Sequence, residues 1–237
     1  METPSSKDNH YGVTQARFWV WVVCIYFATS IPYLRVPISF MGTWAHEWGH
    51  GLGAQMSGGV FKEFIVTRRF GGLATTGSYN DFQRIIKLIT GLMAPSIMGG
   101  ILLIILRKLR DGKLVLILLA LGLGLTGTVW AGDMFTRTTL LGLCFIFAIF
   151  AWKASPRISY YGALIVSIAI CLDAVAKVDY FFAGGGVVNG RPFVSDVSRL
   201  TEILGGFRII WGLLLTFLSF AILYISLRIS VVHKPKS

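Results

Sequence analysis

Thr43-Trp44-Ala45-His46-Glu47-Trp48-Gly49-His50-Gly51 is the stretch on which the reading of this chain turns. It matches H-E-x-x-H and lies inside a mostly apolar run from about Ile38 to Met56. On a helix, residues four apart share a face, so His46 and His50 can address one metal ion. Glu47, one residue on, can reach a water bound to that ion. Ionisable side chains are costly in a lipid-facing segment, and there they default to a functional reading with a named partner. The plainer reading is two core histidines satisfied by their neighbours, but the spacing and the glutamate together match what zinc chemistry needs. The chain has four histidines, and the other two, His10 and His233, lie near its ends.

The surrounding composition sets the class. Of 237 residues, 54% are hydrophobic and only 14% charged, and the mean hydropathy is +0.69. A soluble domain of this size carries more charge. Several apolar runs approach or reach the roughly 20 residues that cross a bilayer, and they are continuous rather than alternating, which argues against a barrel. The expectation is an all-α polytopic membrane protein of about seven transmembrane helices, forming a single domain over 1–237. The net charge of +11 comes from Lys and Arg clustered between apolar runs. That pattern fits positive-inside topology and anionic head groups of the lipid bilayer rather than nucleic acid. Cys24, Cys144 and Cys171 all sit in apolar segments with no C-x-x-C pair, and read as inert packing residues.

Taken in order, residues 1–16 read as a polar tail and 17–34 as a first, retained span. The second, about 38–57, carries the motif and ends at Ser57-Gly58-Gly59. Residues 60–80 suggest two short extended pieces around Gly71-Gly72, a short β-hairpin, with a polar loop as the alternative. The third span, about 86–106, contains Gly91 and Pro95, a combination that implies close packing against another helix, with the motif helix the candidate. Further spans are expected at about 114–131, 138–152, 158–175 and 208–228. Ala120, Gly124 and Thr128 give the fourth a small-residue face. Between the last two, Gly184-Gly185-Gly186 reads as a flexible loop, followed by a short amphipathic helix capped by Ser195, with Asp196 in its first turn. Arg228, Lys234 and Lys236 make a basic tail.

Catalytic zinc takes three protein ligands and keeps one position for water. His46 and His50 would supply two. The metal lowers the pKa of its water to about 7, and Glu47 would act as general base, taking the proton and returning it to the leaving amine. The third ligand is sought among Asp133, Asp173, Asp179, Asp196 and Glu202. Asp133, close to Arg137, reads as a solvated charge, and Asp179 as a partner of Lys177 or Arg191. Asp173 lies within a span, where an unpaired carboxylate is costliest. Asp196 stands where a short helix could project it inward, or is an ordinary first-turn carboxylate favoured by the helix dipole.

These residues resemble the site-2 protease family of intramembrane zinc metalloproteases, in its compact branch with a divergent C-terminal half. The resemblance rests on Ala45-His46-Glu47-Trp48-Gly49-His50-Gly51, on Ser57-Gly58-Gly59, on Gly91 to Pro95, and on Val194-Ser195-Asp196-Val197-Ser198-Arg199-Leu200. It covers roughly residues 35–100 and 190–215. It implies a zinc peptidase that cuts peptide bonds within or beside a membrane helix, with zinc-bound water as nucleophile. His46 and His50 would be ligands, Glu47 the base, and a later Asp the third ligand. The better-known members carry that Asp in an N-x-x-P-x-x-x-L-D-G pattern, which this chain lacks. The Ser-Asp segment selects Asp196, with Asp173 the alternative.

A membrane helix has its amides locked in hydrogen bonds and must unwind to be cut. An extended edge within 60–80 could receive the unwound segment by strand addition. The expected substrate is a membrane protein or peptide, and the expected setting the plasma membrane of a prokaryote. A non-catalytic membrane scaffold or chaperone of the same fold, and a zinc-dependent transporter or sensor, are the competing readings.

Overall fold

Asn80, Asp111, Asp133 and Ser195 each accept a hydrogen bond from the backbone N–H three residues further on, and each starts a helix. Such caps satisfy donors that a first turn leaves open. The computed structural model describes residues 15–28, 31–68, 71–176, 182, 184–188 and 191–230. Within them run α1 (Gln15–Ala28), α2 (Pro32–Met56), β1 (Val60–Val66), β2 (Gly72–Gly77), α3 (Asp81–Leu109) and α4 (Gly112–Val129). There follow α5 (Met134–Lys153), α6 (Pro156–Ala176), β3 (Gly185–Val188), β4 (Arg191–Val194), α7 (Asp196–Leu204) and α8 (Arg208–Ser230). The tail over 1–14, Lys177, Asp179, Lys234 and Lys236 lie outside the described residues.

The protein is an all-α membrane bundle with small sheets. Among the described residues five helices, α3 to α6 and α8, are long and apolar enough to cross a bilayer, and α1 with α2 makes a sixth candidate as one pair bent by 102°. The sequence suggested about seven. The difference lies in α1, whose 14 residues are too few to cross alone, and in α2, where Arg35, His46, Glu47 and His50 dilute the apolar content, so that the two qualify only together. The motif helix also starts earlier than the apolar run does. Pro32 occupies the first turn, where its missing N–H is no loss, and Pro37 is carried inside.

The long helix α3 packs against α2, α6 and α8, while α4 lies on α5 and α6. Without water to drive helices together, close approach of backbones matters most. At Gly49 of α2 an added Cβ would overlap Ala94 of α3, and at Gly53 it would overlap Thr90. The packing of the Gly91–Pro95 segment on the motif helix, expected from sequence, is therefore present. Phe18, Trp44, Phe64, Leu103, Leu116 and Leu164 belong to the main core. A second cluster joins Leu88, Leu92 and Met93 of α3 to Val197 and Leu200 of α7 and Leu215 of α8.

The region after α2 is the expected hairpin. β1 and β2 are antiparallel, from Val60 opposite Gly77 to Val66 opposite Gly72, with one irregularity between Phe61 and Glu63. Phe61, Phe64 and Val66 are buried. The second edge of β1 is held by the connection between α4 and α5. Phe64 N–H donates to the Trp130 carbonyl at 2.8 Å, Gly132 N–H donates to the Phe64 carbonyl at 2.8 Å, and Val66 N–H donates to Thr136 Oγ1 at 2.9 Å. Among the described residues β2 pairs only with β1. The triple glycine is not a loose loop. Gly185 and Gly186 pair with Val194 and Phe193 in a second antiparallel ribbon leading into α7, because the β-branched and aromatic residues beside the glycines favour extended pairing.

Candidate metal centre

His46 and His50, one turn apart on α2, turn their rings to the same side at a centroid distance of 4.6 Å and an interplanar angle of 87°. Their Nε2 atoms are 3.1 Å apart. Asp196 Oδ2 stands 3.2 Å from each of them. The three donor atoms thus form a nearly equilateral triangle, drawn from residues 146 and 150 positions apart in sequence.

Asp196 reaches this place because α7 is amphipathic. Val197 and Leu200 are buried against α3, which turns the first residue of the helix inward. Ser195 fixes the start: its hydroxyl accepts from Ser198 N–H at 3.2 Å, and its own N–H donates to the Gly184 carbonyl at 3.3 Å. Burial works against the Asp196 carboxylate, but the charge and N–H donation of the two imidazoles in their protonated form outweigh it and hold its pKa well below the ordinary range. The carboxylate therefore stays an anionic donor.

His50 is oriented from behind. Its Nδ1 lies 2.9 Å from the Lys87 carbonyl of α3. A carbonyl can only accept, so Nδ1 carries a hydrogen, and in the neutral ring, the form that binds a metal, Nε2 presents its lone pair to the triangle. Such an outer hydrogen bond is the usual support of a metal-ligating histidine. The ring also rests directly on Gly91, where an added Cβ would overlap its Cε1, Nδ1 and Nε2. The sequence marks neither the Lys87 carbonyl nor the fit of the ring on Gly91, beyond placing a glycine opposite a histidine-bearing helix.

Glu47 is 4% exposed and lies outside the triangle. Its carboxylate rests on the hairpin, where an added Cβ at Gly72 would overlap Oε1 and Cδ. Of the other candidate acids, Asp173 is buried against Gly42, one turn before His46, and is not part of the three-residue cluster. Asp133 is the cap of α5, accepting from Thr136 N–H at 2.6 Å. Glu202 is exposed on α7, and Asp179 lies outside the described residues.

The donor set fits a divalent transition metal. Four-coordinate zinc at about 2.0–2.1 Å sets adjacent ligand atoms about 3.3 Å apart, close to the 3.1 and 3.2 Å edges seen. Two imidazole lone pairs and a carboxylate oxygen converging in a buried place also call for a cation between them. His46, His50 and Asp196 are the residues that could hold it.

A multi-helix membrane bundle in which two histidines of a glycine-packed helix meet the carboxylate at the start of another defines an integral membrane protein built around a potential metal site. Over residues 18–226 the chain matches the family model described as Peptidase M50B-like, and it belongs to that family, a site-2 protease family of membrane metalloprotease type. No curated protein and no solved structure matches it.

Proposed function

We propose that the protein is a zinc-dependent intramembrane endopeptidase that cuts membrane proteins or peptides in or near their transmembrane segments. His46, His50 and Asp196 are its metal ligands in this reading and Glu47 its general base. The observation that carries it is the 3.1–3.2 Å triangle of donors with the next residue of the motif, Glu47, laid against the hairpin at Gly72. When bound, zinc supplies a Lewis acid that polarises a peptide carbonyl and brings the pKa of water down to about 7. Glu47 removes a proton from the attacking water and hands it to the departing amine. The Lys87 carbonyl keeps His50 in one tautomer through this exchange.

The hairpin gives the substrate a place. β1 is tied on both edges, so a segment unwound from a membrane helix adds to β2 rather than to β1. Gly72, at the start of that strand, lets the added backbone come close to the Glu47 carboxylate.

Zinc content and cleavage test the reading together. Wild type and Asp173→Ala should each carry one zinc, and Asp196→Ala should lose it. Glu47→Gln should keep zinc yet fail to cut a membrane-helix reporter that wild type cleaves. Wild type without stoichiometric metal, or a Glu47→Gln variant that still cleaves, overturns the proposal. Zinc binding without any cleavage by wild type transfers the site to a scaffold, transporter or sensor role.

A further inference from the structure

On the outer face of the bundle, between α4 and α5, runs a groove of about 770 Å³. Ala120 and Gly124 of α4 and Cys144 and Ala148 of α5 line it, and Lys113 and Trp152 stand at one end. Gly124 keeps the floor narrow, since an added Cβ would sit 3.1 Å from Cys144 Sγ. From Lys113 to Thr128 the α4 wall extends about 22 Å at about 1.5 Å per residue. That exceeds the about 15 Å of one leaflet, half of a hydrocarbon core of roughly 30 Å.

The end at Lys113 and Trp152 is basic. The last turn of α3 brings Lys108, α5 ends at Lys153, and Gly112 abuts the backbone of Ser159 and Tyr160, which brings Arg157 of α6 to the same level. The one acid in these turns, Asp111, accepts from Leu114 N–H at 3.1 Å as a helix cap. Lys153 Nζ lies 5.4 Å from the centre of the Trp152 ring, and that ring is 76% exposed. Indole rings at helix ends mark the head-group level of a bilayer.

The geometry points to a site for one anionic glycerophospholipid, its acyl chain lying in the α4–α5 groove and its phosphate held by Lys113 and Lys153. A second transmembrane helix would fill the apolar part, but it brings no fixed anion to match the cations at the mouth. A lipid phosphate does, and the chain attached to it enters where the groove begins. The small residues Ala120, Gly124 and Thr128, which read from sequence as a helix-packing face, thereby gain a lipid occupant.

The test uses full-length protein purified in a mild detergent, with lipid retention read by native mass spectrometry and the thermal midpoint measured beside it. Wild type should retain one phosphatidylglycerol and gain thermal stability from it, while phosphatidylcholine is lost. Removing both charges, Lys113→Gln with Lys153→Gln, should lower retention about 25-fold, about fivefold for each charge. Arginine at both positions should restore it. Ala148→Phe fills the exposed groove, leaves the cations in place and should abolish retention at an unchanged lipid-free midpoint. Equal retention of both lipids by wild type overturns the proposal, as does wild-type retention in Ala148→Phe. A dimer mass that Ala148→Phe abolishes also overturns it, because the groove would then seat a second copy of the chain.

Discussion

Replacing Gly91 with alanine is the sharpest probe of how the motif helix presents His50. The new methyl would overlap three atoms of the imidazole ring. Restoring ordinary carbon contact requires ring or backbone to give way by about 1 Å. The ring cannot tilt in place without losing Nδ1 from the Lys87 carbonyl at 2.9 Å. The helices cannot part easily, because Gly49 and Gly53 are also in close contact with α3. Overpacking of this kind costs about 1–3 kcal/mol. Loss of the outer hydrogen bond of a ligating histidine lowers metal affinity about 10–100-fold. Zinc affinity measured against a competing chelator should fall within that range, and reporter cleavage should fall by about 100-fold or more. Gly142→Ala is the control, because nothing lies within 4 Å of a Cβ added there. If Gly91→Ala holds zinc as tightly as wild type, the ring does not depend on that surface and the account of the site is refuted.

Three further outcomes follow from the same contacts. Gly72→Val should keep zinc but lose cleavage, because its side chain displaces the Glu47 carboxylate; paired metal and activity assays would separate the two. Ser195→Ala should weaken zinc binding and lower stability by about 0.5–2 kcal/mol, read as metal affinity and thermal midpoint, since the lost cap frees the turn that aims Asp196. Thr126→Val leaves the buried Trp44 indole without its 2.9 Å acceptor. It should cost about 1–3 kcal/mol in thermal unfolding, with the zinc stoichiometry unchanged.

Much of the fold is written locally. The apolar lengths that become α3 to α6 and α8 stand out because a bilayer demands them, and Ser195 marks the start of α7 by chemistry confined to four residues, whereas Asp133, which reads from sequence as a solvated charge, is the cap of α5. The four-residue spacing of His46 and His50 is equally local. What stayed hidden depends on contacts between distant segments. The Ser-Asp resemblance singled out Asp196 over Asp173, but the contact that turns Asp196 toward the histidines, α7 buried on α3, and the seat of Asp173 against Gly42 carry no local mark. The Lys87 carbonyl is a backbone group and leaves no mark on side-chain pattern. The resting place of Glu47 on Gly72 needs the hairpin folded back on α2. The pairing of Gly185 and Gly186 was concealed because glycine signals a loop when its partner strand is not known.

The attachment of β1 to the elbow between α4 and α5 has a mechanical meaning. Two backbone hydrogen bonds at Phe64 and one from Val66 to Thr136 make the hairpin and that elbow a single moving part. A tilt of the α4–α5 pair cannot be absorbed by a slack loop. It would bear directly on β1, and through its partner strand on the backbone under Glu47, which ties helices that contribute no donor to the cluster to the clearance above it.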